Sequence, residues 1–307
     1  MLCYALISWT VALATGAILT GYGSAGSAAP LSMNSAVHST ASESTRGGVQ
    51  KTLFIADVDS NVLLYSSDIK QNNPPLLGQI TQGVTRSVAV AVDRRNTLYV
   101  VNFGGNSPSI AEYKQGTTSP FKTLTNGLRA PEDIVVDREL NVYVVDSGSV
   151  LVYARGASSP SRVIPISSSF TGGLALATNG DLLVATFDTE HQSGAVYSIA
   201  PGSSQAHNLN LQSVPGPSLG TDGAGYIYVG GHSGDISVYA PGSTTASRFI
   251  NANADGFYTN MDVLPNGTIY WPNYDDRTMY EFSPGASGPA NVFTTSGSGI
   301  GAAVGSW

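Results

Sequence analysis

One pattern returns six times in this chain, and it limits the possible fold more than any other feature. Its clearest copy runs from Val142 to Gly156: the arm Val142-Tyr143-Val144-Val145, the turn Asp146-Ser147-Gly148-Ser149, and the arm Val150-Leu151-Val152-Tyr153. β-Branched and aromatic residues fill both arms and turn formers separate them, so the stretch reads as strand, tight turn, strand. The aromatic of the first arm recurs at Phe54, Tyr99, Tyr143, Leu183 (aliphatic here), Tyr228 and Tyr270, spaced by 45, 44, 40, 45 and 42 residues. Three residues later stand Asp57, Asn102, Asp146, Thr186, Gly231 and Asn273, mostly turn formers. The second arm carries Tyr65, Tyr113, Tyr153, Ile199, Tyr239 and Phe282. Short third arms follow, such as Phe121-Lys122-Thr123-Leu124. Apolar fourth arms precede the last five copies and close at Asp93, Asp137, Ala177, Asp222 and Leu264, six residues before the recurring first-arm position.

Four short strands in about 40–45 residues are the mark of a propeller blade. Alternation with period 2 excludes helical repeats, and the period is too long for leucine-rich repeats. A two-sheet sandwich has many short strands too, but not one turn residue at one offset six times. A single blade cannot cover both faces of its sheet, so blades must stack on each other. The expected fold is all-β, a six-bladed β-propeller of four-stranded antiparallel blades.

The strand counts also say how the ring closes. The first copy starts at Thr52, on what would be the second strand of its blade, with no innermost strand before it. The stretch from Gly299 to Trp307 is apolar and strand-like but has no second arm. Pairing Gly299–Val304 with the strand near Leu53 builds one blade from both ends and leaves no open edge. The fourth copy, from Gly172 to about Leu211, is the most divergent, with a turn lengthened to Phe187–Gly194.

The repeats occupy residues 51–307. Leu2 to Leu19 is almost wholly apolar, small residues follow, and no charge occurs before Glu43. Residues 1–29 therefore read as a signal peptide or a retained anchor. Residues 30–50, rich in Ser, Thr and Ala, read as a flexible tether. Leu19-Thr20-Gly21-Tyr22 resembles a lipobox with Tyr22 where the lipidated cysteine would be, and the single cysteine is Cys3. The expected location is extracytoplasmic, with membrane contact only through an uncleaved leader. Net charge is −7 and nothing basic clusters, which argues against nucleic acid as a partner.

Ala130-Pro131-Glu132-Asp133-Ile134-Val135-Val136-Asp137, Asn141-Val142-Tyr143-Val144-Val145-Asp146 and Val150-Leu151-Val152-Tyr153 resemble the NHL repeat. The pattern differs at Asp133, where the repeat has glycine. The resemblance covers about residues 52–307 and implies the same six-bladed ring, as in secreted bacterial propellers of this kind.

Candidate site residues gather where innermost strands begin. Counting back from the closing positions gives Ala89, Asp133, Gly173, Ser218 and Asn260 around the channel mouth, flanked by Glu132 and Asp262. The chain is also similar in this respect to the gluconolactonase/SMP-30 propellers, which hold a divalent metal at this mouth. That likeness implies Asp133, Asn260 and Asp262 as metal candidates, with hard oxygens suited to Ca²⁺ or Mg²⁺. The turns between second and third strands share the mouth and bring His191, His232, Tyr274 and Asp275. Tyr258, Trp271 and Tyr274 form an aromatic group in the sixth blade, able either to seat a ligand or to fill space between blades. No catalytic residue set stands out. The expected function is a monomeric, non-catalytic binding module for a protein, peptide or carbohydrate, with no required cofactor. The alternative is a metal-dependent lactonase-like hydrolase.

Overall fold

The computed structural model describes residues 51–69, 74–104, 107–166, 172–188, 191–231, 233–253 and 260–307. The expected leader and tether, His232 and Tyr258 lie outside them. The chain forms twenty-four strands in six four-stranded antiparallel sheets. The first blade holds β1 (Lys51–Asp57), β2 (Asn61–Ser66) and β3 (Leu76–Ile80). The second holds β4 (Ser87–Val92), β5 (Leu98–Asn102), β6 (Ser109–Tyr113) and β7 (Lys122–Leu124). The third holds β8 (Pro131–Val136), β9 (Val142–Asp146), β10 (Ser149–Tyr153) and β11 (Arg162–Pro165). The fourth holds β12 (Leu174–Leu176), β13 (Leu182–Asp188), β14 (Ser193–Ile199) and β15 (His207–Asn208). The fifth holds β16 (Ser218–Thr221), β17 (Ile227–Gly230), β18 (Asp235–Tyr239) and β19 (Ala246–Asn251). The sixth holds β20 (Asp262–Val263), β21 (Ile269–Asn273), β22 (Thr278–Phe282) and β23 (Asn291–Thr294). The last strand, β24 (Gly299–Ser306), completes the first blade.

Each sheet runs in chain order from inner to outer strand, except the first, whose order is β24-β1-β2-β3. β24 pairs antiparallel with β1, from Lys51 opposite Ser306 to Asp57 opposite Gly299, with Leu53 opposite Val304. This is the six-bladed ring closed by strands from both ends of the repeat region. Trp307 then packs edge-on against Phe54, ring centres 5.2 Å apart. In the fourth blade the expected long turn is partly strand. Phe187 pairs with Gly194 and Asp188 with Ser193, so β13 and β14 extend beyond those of the other blades.

Among the described residues the buried hydrophobic side chains form six clusters, one at each junction between neighbouring blades. The core is a set of interfaces rather than a centre, as stacked repeats require.

The residues that define the repeat turn out to fasten it. Asp137, which closes β8, accepts a hydrogen bond from the Tyr143 hydroxyl (3.0 Å) and from the Asn141 backbone N–H (2.8 Å). Asp222 does the same for the Tyr228 hydroxyl (3.0 Å) and the Tyr226 N–H, and Asp93 for the Tyr99 hydroxyl (3.2 Å) and the Thr97 N–H. Burial first, and then the bond to Asp137, pushes the Tyr143 phenol up to about 12, so it remains a donor. In the fourth blade both partners are replaced, by Ala177 and Leu183. In the sixth, Leu264 cannot accept and the Tyr270 hydroxyl turns to the carbonyl of Ser67 (2.8 Å).

The second recurring tyrosine ties blades together. Tyr113 donates to the carbonyl of Gln82, Tyr153 to Asn126 and Tyr239 to Gln212, at 2.6–2.7 Å, each in the segment arriving from the preceding blade. The turn residues of the first arm hold the same segments. Asp146 accepts from the N–H groups of Arg129 (2.7 Å) and Ala130 (3.1 Å), Asn102 from Thr85 (2.9 Å), and Asp57 from Ser298 (2.9 Å). Loop backbone near a ring axis needs such partners because a buried unpaired amide is costly.

Candidate functional site

The channel mouth is built by the starts of the inner strands, and its side chains are largely engaged with backbone. Asp133 is 6% exposed. One carboxylate oxygen accepts from its neighbour Ile134 (2.8 Å), and the other crosses to the next blade and accepts from the Leu174 N–H (2.7 Å). Ser218 occupies the equivalent place in the fifth blade, and its hydroxyl accepts from the Met261 N–H of the sixth (3.2 Å). The aspartate and the serine thus make one and the same bond between blades. Asp262 accepts from the Val304 N–H of β24 (2.8 Å) and joins the sixth blade to the first. Burial raises Asp133 to about 7 and Asp262 to about 6, each countered in part by those amides.

Asn260 reaches across the ring. Its side-chain amide donates to the carbonyl of Glu132 at 3.0 Å, and its backbone N–H donates to Ile300 (3.3 Å). The sixth and third blades are opposite one another in a ring of six, so this bond is a strut over the channel. Glu132 itself sits on a β-bulge. Pro131 pairs with Asp146 and Asp133 with Val145, which leaves Glu132 as the extra residue. Ala89 and Gly299 follow or precede similar irregularities, leaving Val88 and Ile300 as the extra residues of β4 and β24. Bulges re-aim a side chain, and here one of three carries a carboxyl group. Its Oε2 is buried without a hydrogen-bond partner. Burial, then the charges of Asp146 and Asp133, raises Glu132 to about 8.

The remaining candidates do not join this group. His191 is exposed and bonded to Asp188 in its own hairpin, Nδ1 to Oδ2 at 2.7 Å. Asp275 is exposed on the turn after β21, and its N–H donates to Asn273. Tyr274 is half-buried; burial, then the charges of Asp59 and Asp275, raises its phenol above the ordinary range. Trp271 is fully buried and belongs to the cluster between the fifth and sixth blades. Its ring fills the space beside Gly230, where a Cβ on that residue would stand only 2.5 Å from the indole. Of the two roles open to this tryptophan, filling space between blades is the one its burial matches.

A divalent ion needs several hard oxygens converging on one point. Among the described residues no group of three or more His, Cys, Asp or Glu side chains is so arranged. Asp133 and Asp262 direct oxygens at amides of different blades, and Asn260 directs its N–H₂ at a carbonyl. These residues do not fit a Ca²⁺ or Mg²⁺ site as they stand.

A second concave feature lies on the opposite edge of the ring, between the second and third blades. It is a cleft of about 200 Å³, lined in part by Arg95, Tyr99, Glu112, Phe121, Lys122 and Arg155. Nothing in the repeat pattern marks it.

Fold and mouth together define a six-bladed β-propeller whose described mouth side chains bond largely to backbone of neighbouring and opposite blades. No protein-family model matches the chain, and no curated protein sequence matches it. Solved structures do match. A chain in the crystal structure of a nidogen/laminin complex superposes with a TM-score of 0.68 at 13% identity, over 83% of this chain and 98% of that one. A protein from Lactobacillus plantarum gives 0.60 at 12% identity, over 83% and 99%. Kuenenia stuttgartiensis hydrazine synthase gives 0.53 at 17% identity, over 76% and 73%. At such identities the likeness establishes the architecture alone, which hosts many functions.

Proposed function

We propose that this chain is an exported, NHL-like propeller acting as a monomeric, non-catalytic binding module for a protein, peptide or carbohydrate. The observation that carries this reading is the equivalence of Asp133 and Ser218. A carboxylate that repeats the bond of a serine hydroxyl in a sister blade has a structural reason to be there, and that reason needs no reaction. The strut from Asn260 to Glu132 supports it further, because it engages the Asn260 amide with backbone of the opposite blade and not with a ligand. The nidogen/laminin match comes from an assembly of proteins, the kind of use proposed here. Export rests on the apolar stretch from Leu2 to Leu19 and the small residues after it.

One feature favours the metal-dependent hydrolase as a second reading: the partnerless Oε2 of Glu132. A screen of the purified protein against envelope polysaccharides, peptides and lactones separates the two. Saturable binding without turnover supports the module. Lactone hydrolysis by protein carrying one divalent ion per chain, with both lost in Asp133→Ala, overturns it.

A further inference from the structure

We infer that the cleft between the second and third blades is a binding site for a small ring-bearing carboxylate. This goes beyond the reading of the channel mouth and does not depend on it, since the cleft lies on the opposite edge of the ring.

The charges of the cleft decide the ligand's sign. Two acids line it, and both are engaged. Asp93 accepts from the N–H groups of Arg95 (2.7 Å) and Thr97 (2.9 Å) and from the Tyr99 hydroxyl. Glu112, 6% exposed, is paired with Lys122 at 3.2 Å. Lys122 in turn donates to the carbonyl of Ala157 (2.8 Å), across the junction in the third blade. What remains is the pair of guanidinium groups of Arg95 and Arg155. Both residues are exposed, and among the described residues no carboxylate forms an ion pair with either. The lining thus carries three cations, Arg95, Lys122 and Arg155, against the two acids, in a chain whose net charge is −7.

The guanidinium groups come from opposite walls and their backbones are fixed. Arg95 stands on the turn after β4, its N–H held by Asp93. Arg155 stands on the turn after β10, its N–H donating to the Asn141 side chain (3.3 Å). A planar fork on a pinned turn is suited to a carboxylate, which it meets with two parallel bonds.

The body of the ligand follows from the floor and the size. Leu124, Val142 and the Tyr99 and Tyr153 rings lie under the charged rim, which inorganic phosphate or sulfate would leave uncovered. Phe121, half-exposed, stands at the edge, with the Lys114 ammonium 5.6 Å from its ring centre adding a further cation. A volume of about 200 Å³ is the space of roughly seven waters. That is below the ~300–1,000 Å³ of pockets for drug-sized molecules, and it suits one six-membered ring with its carboxylate. Aromatic and sugar rings share this chemistry, and the test separates them.

The experiment is calorimetric titration of the full chain with benzoate and with glucuronate, beside neutral benzamide and glucose, repeated on Arg95→Gln and Arg155→Gln. One carboxylate is expected to bind saturably at one per chain, its neutral analogue not at all, and each variant at least about tenfold more weakly. Benzoate binding identifies an aryl carboxylate, and glucuronate binding a uronate. The variants should melt with the parent, since neither side chain has an ion-pair partner to lose. If one melts early, Arg→Lys at that position keeps the charge without the fork and should still weaken binding. No saturable binding of either acid at concentrations on the order of 10 mM overturns the inference. So does binding that survives both variants, or equal binding of a neutral analogue.

Discussion

Removing Ser298 to Trp307 should open the ring. In the intact protein β24 meets β1 over seven registered positions, from Lys51 opposite Ser306 to Asp57 opposite Gly299. A ladder of that length carries roughly seven backbone hydrogen bonds, each worth a net 0.5–1.5 kcal/mol, or about 3–10 kcal/mol together. The deletion also removes the Ser298 N–H that Asp57 accepts, the Val304 N–H that Asp262 accepts, and the Trp307 ring packed on Phe54. Leu53 and Ile55, both fully buried, lose the cover of Ala302. An ordinary domain has only ~5–15 kcal/mol in total. For a domain near 250 residues each kcal/mol moves the melting temperature by ~2–4 °C, so the truncated protein should melt at least about ten degrees lower or fail to fold. Circular dichroism against temperature measures this, and a synthetic peptide of residues 298–307 added in trans should recover part of the loss. A truncated protein melting within ~2 °C of the parent would mean that the ring does not depend on this strand.

Other outcomes follow from the same contacts. Glu132, Asp133 and Asp262 all have folded-state pKa values above the ordinary carboxylate range, at about 8, 7 and 6. Between about pH 4 and pH 8 the folded state therefore holds protons that the unfolded chain has released, and stability falls as pH rises through that window. Melting temperature should be lower at pH 8.5 than at pH 5. Glu132→Gln, which keeps the shape and cannot ionise, should match the parent at pH 5 and melt above it at pH 8.5. A lower melt for this variant at pH 8.5 would show that the carboxylate is in use. Tyr153→Phe loses the bond to the Asn126 carbonyl and should cost about 1 kcal/mol, read as a small drop in denaturant midpoint with unchanged slope. Deleting residues 1–48, which carry no strand periodicity, should leave the melt of the propeller unchanged.

Strand order and closure were legible in the sequence because both rest on local signals. An alternating arm and a turn residue at one offset mark a strand pair wherever they occur, and Asn179-Gly180 marks a hairpin that the structure makes with Gly180 at φ +90°. The work of the recurring residues was not legible. Tyr153 is bound to a carbonyl and Asp146 to two amides, and backbone partners leave no trace in residue identity. The candidate site was legible only as an address. Position counting brought Asp133, Glu132 and Asn260 to one mouth, but it could not show the bulge that turns Glu132 or the strut from residue 260 to residue 132. Trp271 was ambiguous because its burial depends on Gly230 in another blade. The cleft by Arg95 and Arg155 left no sequence signature because its two walls come from different copies of the repeat, each ordinary by itself.

If the oxygens at the channel mouth belong to the fold and not to a metal ion, divalent cations should leave the protein's stability alone. Calorimetric melts in millimolar CaCl₂, in MgCl₂ and in EDTA test this without reference to any substrate. The three curves should coincide. A specific site with ion at 100 times its dissociation constant adds about 2.7 kcal/mol, roughly 5–10 °C for a domain of this size. A shift of that order in either metal, absent in Asp133→Ala, would contradict the reading of the mouth as a set of links between blades.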